Sequence, residues 1–275
     1  MAGVIGLRGP DIEKRLALRG YKVVFEDADR PYVRPHTGLP VLTMEDGEPT
    51  VRRHVFGFSR RFASFNARAD RLESGKMWSR MFGRAGHHGI APVSYILEWG
   101  DLGDGAGKRP FRIERADGAA MCVPALVGEY WEKKDERAFS LVTIEPNAFV
   151  RTFHDRMIGQ LSDVHLDTWL TPANHSRDEL WACLTAPPDE ELVAYPLRAD
   201  VGGAKFDDAA AMMAVGPAVT WADVQQRPVA NDPLDGNTAG TAGTTGRADA
   251  ADPARDGVGG PRGKRKGPGQ QTLGV

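Results

Sequence analysis

The sequence predicts an α+β fold built on a curved, barrel-like antiparallel sheet with short helices at its periphery. Two observations favour this class: short apolar runs bounded by turn residues outnumber helical patterns, and these runs follow one another as a meander. A third observation bounds the domain, because no aromatic residue follows Trp221. We therefore expect one folded domain over residues 1–227 and a disordered tail over residues 228–275.

Short apolar runs predict the strands, and turn residues separate several of them. One turn signal is the segment 45–48, Glu-Asp-Gly-Glu, and another is the segment 116–118, Ala-Asp-Gly. The charged loop 132–137 separates the last two runs. The predicted strands are Tyr21–Phe25, Leu39–Met44, Thr50–Phe58, Ile90–Leu97, Pro110–Glu114, Cys122–Tyr130 and Phe139–Ile144.

Helical patterns are fewer and shorter than the strand patterns. One is predicted near Asn147–Phe153, with Glu145 or Asn147 close to its start. The other predicted helices are Asp11–Arg19, Met77–Phe82 and Asp178–Thr185.

Composition excludes several classes of function. The 275 residues carry a net charge of −2, so any surface for nucleic acid has to be a local basic patch. Cys122 and Cys183 show neither metal-ligand spacing nor a disulfide framework, which predicts a cytoplasmic protein without a metal. The first residues lack the basic region of a signal peptide, and no apolar run approaches the ~20 residues of a membrane span.

Clustered arginines form the first candidate site. Arg60, Arg61 and Arg68 fall within nine residues, and Arg80 lies just beyond them, close to Trp78. Arginine binds phosphate oxygens bidentately and exposed aromatic rings stack on bases, so the cluster suits nucleic acid. The alternative is an ordinary solvated charged face with a buried phenylalanine.

Two titratable residues are candidates for acid–base chemistry. Glu98 closes an otherwise apolar run, where desolvation raises the pKa of a carboxyl group; the alternative is a strand-end glutamate that faces water. His154 suits proton transfer near neutral pH; the alternative is a histidine that caps the carbonyls of a helix end. Arg156 either pairs with Asp155 or holds a phosphate.

Three segments in this order and at this spacing resemble the SOS response-associated peptidase (SRAP) family of abasic-site-shielding proteins. They are Asn66–Arg68, Tyr95–Trp99 and Phe153–Met157, which match the family's Asn-Ala-Arg, Tyr/Phe-Glu-Trp and His-Asp-Arg motifs. The resemblance covers about residues 1–217 and is best over 62–170. Supporting matches are Ser79–Phe82, Pro110–Ile113, Arg115–Gly118, Ser140–Thr143, Trp169–Leu170 and Tyr195–Leu197.

The resemblance implies a compact domain with a groove for single-stranded DNA and no cofactor. In the family, the freed α-amine of residue 2 attacks the ring-opened aldehyde of an abasic site, and the cysteine thiol there closes a thiazolidine. By this resemblance Asn66 holds the amino-terminal residue, Glu98 exchanges protons during imine formation and Met removal, and His154 assists ring opening. Arg68, Arg80 and Arg156 hold DNA phosphates.

The chain departs from the family pattern at its start. Family members begin Met-Cys-Gly-Arg, whereas this chain has Ala2 and Val4; the segment Arg60–Phe62 also replaces the family's paired tryptophans. An α-amine with an ordinary pKa of ~7.7–8.0 is still nucleophilic near pH 7. We therefore expect reversible capture through the Ala2 amine, with β-elimination as a lyase side reaction and no thiazolidine.

Other interpretations of the chain remain open. One is an inactive family member that only binds single-stranded or junction DNA, or an adaptor at replication forks. A peptidase (hydrolase) role beyond removal of Met1 has no substrate-cleft signal. The tail segment Gln270–Val275 loosely resembles peptides that dock on the sliding clamp, the alternative being an unstructured solubilising tail. We expect a monomer, associated with the nucleoid.

Overall fold

Two β-sheets dominate the computed structural model, which describes residues 3–9, 15, 30–102, 105, 107–201 and 209–226. These residues fall within one compact unit, Met1–Ala230. The strands are β1 (Ile5–Leu7), β2 (Arg30–Val33), β3 (Gly38–Glu45), β4 (Glu48–Phe56), β5 (Asn66–Arg68), β6 (His88–Val93), β7 (Tyr95–Gly100), β8 (Arg109–Arg115), β9 (Met121–Glu129), β10 (Arg137–Ile144), β11 (Met157–Ile158) and β12 (Leu192–Pro196).

The helices with bounds within the described residues are short, and all but two lie between strands. The α-helices are α1 (Ala148–Arg151), α2 (Leu166–Leu170), α3 (Arg177–Ala182) and α4 (Trp221–Gln225). The 3-10 helices are Ala69–Arg71, Trp78–Arg80, Asp163–His165, Pro172–Asn174, Asp189–Glu191 and Ala209–Met212.

Five strands of the larger sheet close into a barrel. The pairing runs from β10 to β4, β3, β6 and β9, and β9 pairs again with β10. Closure leaves these strands without a free edge. In the core, the buried rings of Phe56 and Phe139 stack with centroids 5.2 Å apart. The predicted barrel-like sheet is therefore confirmed.

Strand β10 departs from the expected antiparallel meander. It pairs in parallel with β4 through Phe139 and Phe56, and in parallel with β5 through Leu141 and Asn66. Because β4 and β5 both pair with β10, the loop between them starts and ends beside that strand. The turn between β3 and β4 behaves as expected, since Asp46 and Gly47 both adopt positive φ, as a two-residue hairpin requires.

A second sheet of five strands, in the order β12-β8-β7-β1-β2, carries Glu98. The predicted strand Ile90–Leu97 is wrong as one element: it breaks at Ser94 into β6 of the barrel and β7 of this second sheet. Ser94 is fully buried, and its hydroxyl accepts a hydrogen bond from the Arg8 backbone N–H. Because both strands are buried, no change of hydrophobic pattern marks the break.

The helix predictions have mixed outcomes. Asn147 accepts a hydrogen bond from Val150 N at the start of α1, and Ser176 begins α3 with a capping box. The predicted helix at residues 77–82 is only the 3-10 turn Trp78–Arg80. Apart from Arg15, the predicted elements at 11–19 and 21–25, and the tail from 228, lie outside the described residues. Among the described residues, no helix is both long and apolar enough to cross a membrane.

Candidate functional site

Glu98 lies near the end of β7 and is buried, with 4% of its surface exposed. Burial raises the pKa of this carboxyl group to about 7, and the charge of Asp155 acts in the same direction. The positive charge of the chain's amino terminus opposes the rise. A carboxyl group with this pKa can donate and accept protons near neutral pH. This burial excludes the alternative of a strand-end glutamate that faces water.

Strand β1 lies beside the strand that carries Glu98. The two strands are antiparallel, with Ile5 opposite Ile96 and Gly6 opposite Tyr95. Extending this register by two residues brings Gly3 opposite Glu98. The ladder is still bonded one step before that point, because Leu97 N donates to the carbonyl of Val4 at 3.1 Å. The amino-terminal segment therefore runs toward the buried carboxyl group.

His154 lies three residues after the end of helix α1, and its backbone N–H donates to the carbonyl of Val150. Its Nδ1 lies 3.0 Å from the backbone N of Arg156 and 2.7 Å from Asp155 Oδ1. A backbone N–H only donates, so Nδ1 accepts in the neutral ring and the proton is assigned to Nε2. On protonation, Nδ1–H can donate a hydrogen bond to Asp155 Oδ1.

The pKa of His154 is lowered, first by desolvation and then by the amino-terminal charge, while Asp155 raises it. The ring therefore remains mostly neutral at neutral pH and can take up a proton during a reaction. Its Nδ1 receives the Arg156 N–H, so this ring nitrogen contacts the loop after the helix.

The structure brings Glu98 and His154 to the same region. A Cβ on Gly100, two residues after Glu98, would lie 2.8 Å from Phe153 Cδ1, so β7 packs directly on the residue that precedes His154. The charges of Asp155 and Lys108 act on the pKa values of both groups. The strand end and the histidine loop therefore share one electrostatic environment.

Strand β5 carries Asn66 and Arg68 on one face, because side chains alternate along a strand. Ala67 between them is fully buried. Arg68 donates two hydrogen bonds to Asp70, at 3.0 and 2.9 Å, and its side chain is 48% exposed. This arrangement presents a guanidinium group at the surface in a fixed orientation.

Arg156 is 5% exposed and lies among oxygen acceptors. It donates to Glu145 Oε1 at 2.7 Å and to the carbonyl of Thr143 at 2.6 Å, and it lies 3.4 Å from Asp70 Oδ1. The side chain therefore links the end of β10 to the loop after β5. Because Arg156 lies two residues after His154 and its backbone N–H donates to His154 Nδ1, this anchoring also fixes the histidine loop.

Exposed arginines and an aromatic pair mark the surface beyond β4. Arg60, Arg61 and Arg80 are exposed. Phe62, which follows Arg60 and Arg61 in sequence, and Trp131 expose 42% and 60% of their surface and meet edge to face, with ring centroids 5.1 Å apart. Exposed aromatic faces of this kind stack on nucleic-acid bases.

Comparison with family models matches residues 24–204 to the SOS response associated peptidase (SRAP) family, over more than half of the chain. The chain belongs to the SRAP family. The resemblance inferred from the three motifs is therefore confirmed at the level of the family.

Relatives of the SRAP chain with curated names support the same assignment. It is 31% identical over 125 residues to the abasic site processing protein YoaM of Bacillus subtilis, a match that covers 44% of this chain and 53% of that protein. It is 30% identical over 146 residues to an abasic site processing protein of Saccharomyces cerevisiae, covering 51% of this chain and 38% of that protein. The chain thus spans about half or less of these relatives.

Solved structures show the SRAP chain's fold. A phage-related protein of Bordetella bronchiseptica matches with a TM-score of 0.59 and 22% identity, covering 74% of this chain and 98% of that one. A protein of Bacteroides thetaiotaomicron matches with a TM-score of 0.56 and 20% identity, covering 71% and 92%. These likenesses confirm the predicted α+β, barrel-like architecture.

The site residues predicted from the sequence of the SRAP chain have three different outcomes in the structure. Glu98 and His154 lie in one region, and Arg68 reaches that region through Asp70 and Arg156. Trp78 is half-buried, packed edge to face on Phe58 with centroids 5.9 Å apart, and so offers less ring surface than expected. Ala2 lies outside the described residues.

Sequence reasoning missed Trp131 and did not name Phe62 as a binding residue. The available signal was Trp131 at the start of the charged loop after a long apolar strand, where a large aromatic ring has no core to enter. Among the described residues, no group of three or more His, Cys, Asp or Glu side chains is arranged to hold a metal ion. Cys122 and Cys183 are buried free thiols.

Proposed function

We propose that this SRAP protein processes abasic sites in single-stranded DNA and captures the ring-opened sugar through the α-amine of Ala2. The observation that carries the proposal is the pairing of β1 with β7, whose register leads the amino-terminal segment to Glu98. The amino-terminal charge also acts on the pKa values of Glu98 and His154. Membership of the SRAP family, and relatives named for abasic site processing, support the substrate class.

The chemistry begins with opening of the sugar ring. The C1′ hydroxyl loses a proton and O4′ gains one, which the neutral imidazole of His154 can carry out in turn. The product is an aldehyde at C1′. This role suits the lowered pKa of His154, because a neutral ring can take up a proton.

Imine formation then uses Glu98. The neutral amine attacks C1′, a proton moves from the attacking nitrogen to the former carbonyl oxygen, and the resulting hydroxyl group leaves as water after a second protonation. A protonated Glu98 supplies this proton, and the nitrogen lone pair forms the C=N bond. Because Ala2 has no thiol, no ring closes on the imine. The adduct hydrolyses back, or loses the 3′ phosphate by β-elimination.

DNA recognition is assigned to the exposed side chains of the surface beyond β4. Arg60, Arg61, Arg68 and Arg80 supply charge for phosphates. Phe62 and Trp131 supply faces for bases, with Trp78 contributing its exposed edge. Arg156 was expected to hold a phosphate; its burial and its acceptors favour a positioning role for the His154 loop.

Borohydride trapping tests the proposal. Full-length protein is mixed with an oligonucleotide carrying one abasic site, and the reduced adduct is mapped by mass spectrometry. We expect a single adduct on the α-amine of Ala2, lost with Glu98→Gln. An oligonucleotide with a tetrahydrofuran site, which has no aldehyde, is the control. Intact mass of the purified protein shows whether Met1 is removed. Retention of Met1, or an adduct on a lysine, would contradict the proposal.

A second function is a DNA-binding protein without capture chemistry, which the alanine at position 2 favours. Binding of single-stranded DNA with no trapped adduct would establish it. We further propose that Gln270–Val275, which lies outside the described residues, docks on the sliding clamp. Loss of clamp binding by the full chain with Gln270→Ala and Leu273→Ala would support that docking, and unchanged or absent binding would contradict it.

A further inference from the structure

We propose that Tyr95 and Glu114 form a clasp that fixes strand β1, making Glu114 a positioning residue for the amino-terminal amine. The inference rests on the proposed function, because it concerns how the attacking group is held. Glu114 lies on β8, directly opposite Tyr95 in the antiparallel register with β7. Glu98 stands opposite Phe111 in the same register, so Glu114 acts on the site through β1.

Strand β1 needs support beyond its own hydrogen bonds. It is three residues long, and two residue pairs join it to β7 and two to β2, where the register is irregular. Beside these pairs, Leu97 N donates to Val4 O and Ser94 N to Gly6 O, at 3.1 and 2.9 Å. Such a short ladder opens easily. Capture chemistry, however, requires the reacting atoms to be held at ~3–3.5 Å, so a loose strand lowers the rate.

Tyr95 closes over Gly6 of β1. A Cβ on Gly6 would lie 2.1 Å from ring atoms of Tyr95, so only glycine leaves room for this ring. Beyond the ring, the Tyr95 hydroxyl donates to the carbonyl of Pro31 in β2 at 2.7 Å. The side chain thus spans β1 from β7 to β2 and holds the strand from one face.

Glu114 holds the other end of β1 by charge. Its carboxylate is 6% exposed and lies 3.2 Å from Arg8 Nη1 and 3.3 Å from Arg112 Nε. Arg8 immediately follows β1, so this ion pair ties the end of the strand to β8. The low exposure makes the pair costly to break, because a buried charge would lose a partner.

Arg112 is itself held firmly. Its guanidinium group lies over the rings of Tyr95 and Tyr195, 5.6 and 4.8 Å from the centroids, and Nη1 donates to the carbonyl of Met212 at 2.7 Å. The carboxylate of Glu114 therefore faces a fixed cation on one side and Arg8 on the other. The ion pair between Glu114 and Arg8 therefore holds the end of β1 in place.

Full-length Glu114→Gln tests the inference, with Glu191→Gln as the matched control. Glu191 also pairs with an arginine, Arg115 at 3.0 Å, but its side chain is 41% exposed and that pair does not involve β1. Hydrogen exchange measures opening of β1 at the amides of Ser94 and Leu97. Borohydride trapping at increasing DNA concentration separates the maximal rate from the half-saturating concentration.

We expect Glu114→Gln to speed exchange at both amides at least ten-fold and to lower the maximal trapping rate about ten-fold. The half-saturating DNA concentration and the fraction of reactive protein should stay within two-fold, and Glu191→Gln should change neither measurement. Unchanged exchange, or faster exchange with an unchanged maximal rate, would overturn the inference. A lower reactive fraction at the same maximal rate would also overturn it, because that indicates general destabilisation.

Failure of the proposed function gives a different result. A wild-type protein that forms no trapped adduct removes the capture chemistry, and with it any positioning role. A normal wild-type adduct with an unaffected Glu114→Gln variant removes the inference alone.

Discussion

The carbonyl of Val4 accepts a hydrogen bond from the backbone N–H of Leu97 at 3.1 Å, one residue before the buried carboxyl group of Glu98. This bond joins the start of the chain to the strand that carries the acid–base group, across more than ninety residues of sequence. It supports the α-amine as the nucleophile of the proposed function, because the amino-terminal segment runs along β7 toward Glu98.

Trapping should follow a bell-shaped pH profile with a maximum between about pH 7 and 8. The neutral fraction of an α-amine rises with pH through its ordinary pKa of ~7.7–8.0. The protonated fraction of Glu98 falls with pH through about 7. Cyanoborohydride trapping from about pH 5.5 to 9.5 measures the profile. Glu98→Gln should lower the maximal rate about 100-fold and remove the alkaline decline. A wild-type rate that climbs steadily to the alkaline end would contradict the acid role of Glu98.

Glu98→Gln should stabilise the protein at alkaline pH. The pKa of the carboxyl group rises from 4.5 to about 7 on folding, so the folded state favours the protonated form. That contribution is fully present below pH 4.5 and is lost as the pH rises through about 7. At pH 8 the variant should exceed wild type by about 3 kcal/mol in free energy of unfolding. Urea unfolding at pH 4.5 and 8 measures the difference, with Glu129→Gln, an exposed acid, as the control. A constant difference between the two pH values would contradict the prediction.

Phe62→Ala and Trp131→Ala should each weaken binding of undamaged single-stranded DNA about ten-fold, because each removes a stacking surface. Fluorescence anisotropy at one fixed salt concentration measures the affinity. Trp131→Phe should retain most of it, and Val164→Ala, at an apolar residue that is 79% exposed, should have no effect. The double variant should lose less than the sum of the two free-energy changes, because the two rings touch. Equal binding by all variants would place the DNA elsewhere.

Ala2→Cys should convert reversible capture into a durable crosslink, since a thiol on the attacking residue can add to the imine. The expected result is an adduct that survives a denaturing gel without borohydride. Ala2→Ser is the matched control, because a hydroxyl group is a weaker nucleophile than a thiol and its adduct should still need reduction. A cysteine variant that is trapped by borohydride but forms no stable adduct would show that the thiol cannot reach the imine.

Gly6→Ala should destabilise the fold by about 2 kcal/mol or more, because its Cβ would overlap the ring of Tyr95. Thermal unfolding measures the loss. Adding Tyr95→Leu removes the ring, so the double variant should lose less stability than the sum of the losses in the two single variants. Strictly additive losses would mean that the ring and the glycine do not depend on each other.

The sequence by itself determined the family, the barrel-like class and most of the longer strands, because these depend on local patterns. Leu39–Met44 predicted β3, and the Asp46-Gly47 turn after it has the positive φ angles that its composition implies. The apolar run before Glu98 left a desolvated carboxyl group and a water-facing glutamate as alternatives, and the burial of Glu98 favours the first.

Only the tertiary structure decided how the site is assembled. Pairing of β1 with β7, burial of Arg156, contact of Phe62 with Trp131 and the ion pair of Arg8 with Glu114 all join residues whose meeting no local pattern predicts. Hydrophobic periodicity tells which face of a strand is buried, but it carries no information about the strand that lies alongside. That choice depends on the free energy of the whole core, which is defined only once the distant segments have come together.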